Sequence, residues 1–479
     1  MRELIEQTSS RKIFFFLSFI FLFFYTIQIS LITSNSDILV FSTRSLSSSP
    51  ILKYAYFTDH YIFDQSHLPN YHIAFTIVQW LAYHAAPTAL SKTIWPGGFV
   101  SALCGALIVG FTFLIWTRML FRKSVAVVAA IIAGCIPNIL NMNTCGELYS
   151  MQLASELIFA YCFLSDRIIA AILALLFTTL VSPMGGLSIA LVFLAPKTRA
   201  SFLKALLCAL LAGALFFGVY HILHVNILHI FSALSAGHDR SLFFRIFKFG
   251  FLFVLNFSFS IFLLQRGSKI LYLKHREIAV GLFLASIPWI ALGLLDSKFL
   301  SMNTGFLMLL YWALALPIGI AIVELPHSFF SKALCFLGMA TVYVVIWIIP
   351  NLSEGLSYAE AGYTVRSEIP DSIKIAGDWQ AGVPITLSKY GWDFERLQRN
   401  FFSIDPRISK DSLLLKTGEK SLIIALSKKD GLRRRLNQMG APLLVDEDFD
   451  EKVLSGTGTM RKLVDNESVM VYKWERKER

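Results

Sequence analysis

The side chains best suited to chemistry lie in the polar stretch from about Thr33 to Tyr71. It carries Asp37, Asp59 and Asp64, sets His60 directly after Asp59, and closes on His67-Leu68-Pro69-Asn70-Tyr71. It follows the apolar run Ile13 to Ile32, so these carboxylates sit against a bilayer, where charge is costly unless it does something. Asp37 is either an active acid or the cap of a turn in its Asn-Ser-Asp setting. Asp59 is a second acid, or shares a divalent metal with His60. The plain alternative is a solvated residue among the aromatics Tyr54, Tyr56, Phe57, Tyr61 and Phe63. His67 suits a lipid phosphate or polar headgroups. Further on, Glu147 opens an apolar segment with Tyr149 and Gln152 beside it. It is an acceptor-site residue, or simply the negative charge that a helix N-terminus favours. Arg240 and Arg245, with His238, Asp239 and Lys248, flank a later loop. Arginine makes bidentate contacts with phosphate; the alternative is snorkelling to headgroups.

The elements that must position these residues are membrane spans. Mean hydropathy is +0.61, and hydrophobic residues make up 55% of the chain. Charged residues are 16%, against roughly 25% in soluble domains, which marks a polytopic membrane protein. The first run, with Arg2, Arg11 and Lys12 ahead of it, has the charge pattern of a signal peptide. It is about 20 residues long, lacks a clear cleavage site and is followed by more spans, so it reads as a retained first helix. Candidate helices fall at about 13–32, 96–117, 124–140, 148–164, 168–183, 184–196, 203–225, 247–265, 278–295, 304–323 and 332–350, about eleven in all. The stretch 168–196 is also readable as one kinked hairpin around Pro183-Met184-Gly185-Gly186.

Threaded alternately with a cytoplasmic N-terminus, these spans gather Arg118, Arg122, Lys123, Lys197, Arg199, Lys204, Arg266, Lys269, Lys274, Arg276 and Lys332 on the inside. That is the positive-inside pattern, and it uses the net charge of +11. It sets 33–95, 141–147, 226–246, 296–303 and everything after Pro350 outside. The segment 71–90 is apolar, but a span there would move Arg118, Arg122 and Lys123 outside. It reads as an amphipathic helix on the outer surface, with Trp80, Tyr83 and Trp95 at the interface. Composition shifts at Pro350, so residues 1–350 form the membrane module and 351–479 a small extracytoplasmic α/β domain. Strand-like runs there are Ile373–Ala376, Pro384–Leu387, Ser421–Ala425 and Val469–Tyr472. Asp430–Met439 reads as helix, and Asp465-Asn466-Glu467-Ser468 as a hairpin turn. The six cysteines lie in or beside apolar segments with no CxxC pair, which suggests neither a disulfide framework nor a zinc site. There is no internal repeat, P-loop, GxGxxG, HExxH or GxSxG, and nothing points to nucleic acid.

An inside N-terminus, one helix, then a long outer loop with an early Asp and a later His-x-Pro-x-Tyr resembles the GT-C superfamily. These are integral-membrane glycosyltransferases that use lipid-phosphate-linked sugars. The nearest branch holds the lipid A aminoarabinose transferases and protein O-mannosyltransferases. There an Asp-Glu pair follows the first helix, and a His-Pro-Pro-Leu-Tyr-like segment comes about thirty residues later. Here Asp37 follows helix one, and His67 comes 30 residues on. Trp95-Pro96-Gly97-Gly98, before a span ending Arg118-Met119-Leu120-Phe121-Arg122, is similar to the family's Leu-Pro-Ser span with its Arg-Arg-Leu-Phe-Gly end. The departures are Ile38 for the second acid and Leu68 for the first proline, which mark a divergent member.

The resemblance implies a GT-C-like fold and transfer of a sugar from a polyprenyl-phosphate donor to a lipid, glycan or protein acceptor outside the membrane of the cell envelope. It implies Asp37 as the carboxylate that deprotonates or orients the acceptor hydroxyl, with Asp59 as its rival. A cation or metal would hold the leaving phosphate. His60, His67, Glu147, Tyr149, Arg240 and Arg245 are the candidate substrate contacts; the metal is unassigned. An envelope polysaccharide ligase or polymerase is the alternative, since it too uses outer loops and Arg clusters. A transporter ranks last, because it calls for internal repeats and ionisable groups at mid-membrane. The charge ruler makes a direct prediction. A reporter active only in the cytoplasm, fused after Arg479, stays silent; strong cytoplasmic activity would overturn the threading.

Overall fold

The computed structural model describes residues 2–29, 72–119, 121–195, 198–222, 242–295, 305–325, 329–370, 372–377, 379–391, 394–403, 420–428 and 458–476. The chain divides into two compact units. The first is Met1–Ile29, Asn70–Val78 and Gly98–Val345; the second is Ser30–Pro69, Gln79–Gly97 and Ile346–Arg479.

The first unit is helical. The elements run α1 (Arg2–Gln7), α2 (Ser10–Gln28), α3 (Ile73–Ala85), α4 (Thr88–Ser91), α5 (Trp95–Arg118), α6 (Lys123–Cys135), α7 (Pro137–Met142), α8 (Leu148–Leu164) and α9 (Ile168–Val181); α4 and the ends of α3 and α5 belong to the second unit. A 3-10 segment (Pro183–Leu194) follows, then α10 (Arg199–Ile222), α11 (Leu242–Phe257), α12 (Ser260–Lys274), α13 (Arg276–Leu295), α14 (Met308–Glu324) and α15 (Phe329–Tyr343). Among the described residues, four helices are long and apolar enough to cross a membrane, or up to five if a bent pair counts as one span. The remaining apolar helices are shorter, so a count of eleven spans is not established. Helix α3 has 13 residues and reaches about 20 Å at about 1.5 Å per residue, short of a hydrocarbon core of about 30 Å.

Where a candidate span breaks, the cause is local. The segment 124–140 splits because Pro137 has no amide to continue α6; it restarts the chain as the first residue of α7. The segment 184–196 is not α-helical. As a 3-10 turn its 12 residues reach about 24 Å instead of about 18 Å, which brings a short segment nearer to bilayer thickness. The expected single span 247–265 is two helices, α11 and α12, at 96° to each other. The elbow is Ser258, a non-glycine residue at φ 45.

Helix α14 is the buried axis of the unit: most of its residues, from Met308 to Ile322, are shielded by neighbours. Helix α12 packs along it, and the closest approach is at Gly267. A Cβ there would overlap the Pro317 carbonyl oxygen, so only glycine admits the contact. Helix α10 is the opposite case, with Phe202, Leu206, Leu210 and Phe217 exposed along its length. In a bilayer such a surface faces lipid.

The second unit carries α16 (Ile349–Glu368), β1 (Lys374–Gly377), α17 (Trp379–Tyr390), α18 (Phe394–Asn400), β2 (Phe401–Ser403), β3 (Ser421–Ser427), β4 (Gly458–Asp465) and β5 (Val469–Arg476). Helix therefore continues to Glu368, past the composition break at Pro350. A π turn over Val344–Ile348 precedes that proline, and its wider ring gives room for a residue that cannot join the hydrogen-bond ladder. The sheet order is β2-β1-β3-β5-β4, with β2, β1 and β3 parallel and the β3–β5 and β5–β4 pairs antiparallel. Central β3 alternates Ile423 and Ala425 toward the helices with Leu422, Ile424 and Leu426 on the other face. Both faces are buried, so the strand reads as a continuous apolar run. The expected strand at Pro384–Leu387 is instead part of α17, with Pro384 inside it. Packing of Val383, Ile385 and Leu387 into the core overrides the local strand propensity of Pro-Ile-Thr-Leu. The turn between β4 and β5 is held by Asn466, whose Oδ1 accepts the amides of Ser468 and Val469 at 3.2 and 3.0 Å. Beside it, hydrogen bonds from Lys428 and Lys462 hold the exposed Asp465 carboxyl down at about 2.

Lys389 is buried and donates to the carbonyls of Ile369 and Pro370 at 2.7 and 3.0 Å, closing the end of α16. Lys389→Met strands two acceptors with no donor. It is expected to lower the stability of this unit by about 1.5–3 kcal/mol, read as faster amide exchange in α16 and α17 of the full chain. Unchanged exchange would show that the cap is dispensable.

Candidate functional site

The described part of the candidate site belongs to the first unit, whose polar groups separate into two sets. One set is charged and gathers where α5, α8, α12 and α14 end. Glu6 accepts the backbone amides of Lys123 and Ser124 at 3.2 and 3.0 Å, Lys204 bonds Asp166 at 2.5 Å, and Lys274 bonds Glu324 at 2.6 Å. Asp166 stands in the turn after α8 at φ 58, and the Lys204 ammonium holds its carboxyl below the usual range.

The other set is amide and hydroxyl, and centres on residues 138–156. Asn143 is fully buried in the turn after α7 and accepts from the Ser150 hydroxyl at 2.9 Å. The turn descends against α5, where a Cβ on Gly105 would lie 2.5 Å from Asn143 Cγ. Tyr25, near the end of α2, neighbours Asn143 and donates to the Gly134 carbonyl at 2.9 Å. Tyr343, the last residue of α15, neighbours Thr144. Asn256 of α11 accepts the Asn138 amide at 2.8 Å, one of the orphan donors at the start of α7. Two acceptors here, Asn141 Oδ1 and Gln28 Oε1, are buried without a hydrogen-bond partner among the described residues. Such groups are rare in native interiors and ask for a water or a ligand.

Of the candidate residues, Asp37, Asp59, His60, His67 and Arg240 lie outside the described residues. Glu147 is the N-cap residue of α8, buried at 7% exposure; its carbonyl accepts from Ser101 Oγ at 3.3 Å, and its side chain does not cap the helix. Tyr149 packs its ring edge-on to Phe306 at 5.1 Å. Arg245 has a structural role. One of its terminal nitrogens donates to the carbonyls of Leu294 and Leu295, at 2.6 and 2.5 Å, closing the end of α13. One turn on, Lys248 is 1% exposed and shares a face with Leu252 and Asn256. The opposite face of α11 exposes Phe243, Phe247 and Val254.

Glu156 was not singled out by sequence reasoning. It lies in the middle of α8 at 1% exposure, accepts from Gln152 Nε2 at 2.9 Å and neighbours Ser188 of the 3-10 segment. The available signal was an acid four residues after a glutamine in an otherwise apolar helix. Among the described residues, no group of three His, Cys, Asp or Glu side chains could hold a metal ion. The acids of the 33–71 stretch fall outside that search.

The fold matches that of a solved protein, ArnT from Cupriavidus metallidurans. Its structure bound to undecaprenyl phosphate superposes with a TM-score of 0.58 at 11% identity, covering 96% of this chain and 97% of that one. Its apo structure matches equally. The chain has the fold of ArnT. No protein-family model and no curated relative matches it in sequence. The comparison therefore supports the resemblance at the level of the fold alone.

The buried network makes a prediction. Asn143→Leu keeps the volume but leaves the Ser150 hydroxyl without its acceptor, and should cost about 1–3 kcal/mol. Glu156→Gln keeps the acceptor for Gln152 in a side chain of nearly the same size, so it should leave stability unchanged. Thermal unfolding of the detergent-solubilised chain reads both; an Asn143→Leu midpoint equal to the parent's would remove Asn143 from the centre of the cluster.

Proposed function

We propose that this chain is a glycosyltransferase that moves a sugar from a polyprenyl-phosphate-linked donor to an acceptor on the outer side of the membrane. The observation that carries the reading is the fold, shared along nearly the whole chain with an ArnT structure that holds undecaprenyl phosphate. The polar cluster around Asn143 adds to it. It collects buried amides, hydroxyls and the Glu147 carboxylate beside the ends of α2, α7 and α15, the side at which the 33–71 stretch leaves α2.

In this reading Asp37, a few residues beyond α2, takes the proton of the acceptor hydroxyl as it attacks the sugar's anomeric carbon, or orients that hydroxyl. The bond from the sugar to the carrier phosphate breaks, and the lipid phosphate leaves with the electron pair. Cations must stabilise the leaving phosphate. Arg240 and His67 are the candidates for direct contact; Lys248 lies on the inward face of α11. Arg245 orients α11 by holding the α13 carbonyls and has its remaining guanidinium nitrogens for the phosphate. Glu147 and Tyr149 contact the acceptor. A divalent metal, with Asp59 and His60 as ligands, is a further element of the proposal, and no step above depends on it.

The test is incorporation of radiolabelled sugar from lipid donor in membranes holding matched amounts of protein. Asp37→Asn should fall about 10²–10⁴-fold, the usual effect of losing a general base, and Asp59→Asn much less. Arg240→Ala should weaken donor binding by about 1.5–3 kcal/mol, the worth of a charge-assisted hydrogen bond. Loss in Asp59→Asn with full activity in Asp37→Asn would move the base to Asp59. Full activity in both would leave the reading without its central residue.

A further inference from the structure

At the charged end of the first unit is a cavity of about 630 Å³ that the proposed transfer does not use. It opens where α5 and α8 stop and α10 and α13 start, so it lies at a membrane surface rather than at mid-bilayer. Its volume falls within the range of about 300–1,000 Å³ typical of small-molecule sites.

The lining combines two chemistries. Arg118, Lys204, Asp166 and Glu277 supply charge, while Phe163 and Phe193 are among the apolar walls. Arg118 donates through Nε to the Leu164 carbonyl at 3.4 Å. That bond fixes the guanidinium at its inner edge, and its terminal nitrogens have no hydrogen-bond partner among the described residues. Lys204 is held by Asp166 on one side only, and an ammonium has three donors. Arg167, Arg199 and Arg276 adjoin lining residues in sequence. Of the cations, Arg118 and Lys204 line the cavity itself, and these are the two that can reach an anion inside it. Helix α10 begins at the rim with Thr198 as its cap, the Thr198 hydroxyl accepting the Ser201 amide at 3.1 Å.

The cavity also leads onto lipid. From Lys204, the same stripe of α10 continues through Leu207, Leu211 and Leu215, which are 46%, 44% and 47% exposed. Spacings of three and four residues keep these side chains on one face. A charged pocket continuous with an apolar track along a membrane helix matches a ligand with an anionic head and a hydrocarbon tail, not a soluble ion. Basic pockets between membrane helices are a known mode of anionic headgroup recognition.

We propose that this cavity binds the phosphodiester headgroup of an anionic glycerophospholipid, with Arg118 and Lys204 on the phosphate and the acyl chains along Leu207, Leu211 and Leu215. The site is separate from the sugar-transfer site and stands or falls without it.

The test uses the full chain in detergent, with phosphatidylglycerol or phosphatidylcholine added and bound lipid counted by native mass spectrometry. One phosphatidylglycerol should be retained in preference to phosphatidylcholine. Arg118→Ala and Lys204→Ala should each weaken retention at least about tenfold, as expected for loss of a charge-assisted hydrogen bond. Lys204 makes a surface ion pair, which contributes little to stability, so Lys204→Ala remains folded; Arg118→Lys, which keeps the charge, should retain part of the binding. Inorganic phosphate in excess should not displace the lipid. Equal retention of both lipids, unchanged retention in the two alanine variants, or displacement by inorganic phosphate would each overturn the proposal.

Discussion

Helix ends are the constraint on which the rest of this structure depends. Every α-helix leaves orphan amides at its start and orphan carbonyls at its end, and hydrocarbon offers them nothing. Here those groups are satisfied by side chains from segments far away in the sequence. Glu6 takes the amides that open α6, and Asn256 takes one that opens α7. Tyr25 donates to the carbonyl of Gly134 near the end of α6, and His72 hydrogen-bonds that of Val181 at the end of α9. Arg118 serves the end of α8, and Arg245 the end of α13. Each bond fixes where one helix stops relative to another, so the caps set the register of the bundle as well as closing it.

The same constraint concentrates polar residues at the two ends of the first unit and gives the ends different characters. At one end the caps and ion pairs use full charges, with Lys204–Asp166 and Lys274–Glu324 near the surface where water screens them. At the other, amides and hydroxyls predominate along the turn of Asn143, which packs against Gly105, with the carboxyls of Glu147 and Glu156 buried nearby in the chain.

Much of this architecture was legible in the sequence. Apolar composition marked most of the apolar helical stretches of the first unit, down to the bounds 148–164 for α8, because a membrane element must hide its backbone within itself. Strands β1, β3 and β5 were visible as short β-branched runs, and the Asp465–Ser468 turn by its Asn-containing polar tetrapeptide. What was not legible depends on contacts between distant residues. The elbow at Ser258 carries no proline or glycine signal; it exists because Gly338 of α15 lets the bend approach. Pro384 reads as a helix breaker, yet the core of the second unit holds α17 through it. Glu156 looked like one more residue in an apolar run until Gln152 and Ser188 were found around it. Asp37 and His67 were found by position along the chain alone, and their geometry lies outside the described residues.

The cations of α11 show how structure divides an anomaly that sequence only flags. Arg245 and Lys248 fall on the side that the charge ruler calls outer, against the usual bias, so each needs a reason. Arg245 has one that is independent of any ligand: α13 ends at Leu295, and a guanidinium on its last carbonyls also meets the negative end of that helix. Lys248 is turned inward while Phe243 and Phe247 face out, so α11 is amphipathic in the sense opposite to a water-soluble helix. That inversion is what a helix at a membrane surface requires when its polar face belongs to the protein interior. A lysine on that inner face, 1% exposed, is too far from water for headgroup snorkelling to account for it. Snorkelling, one of the two explanations open to these cations from the sequence, therefore fits Lys248 poorly and Arg245 only in part.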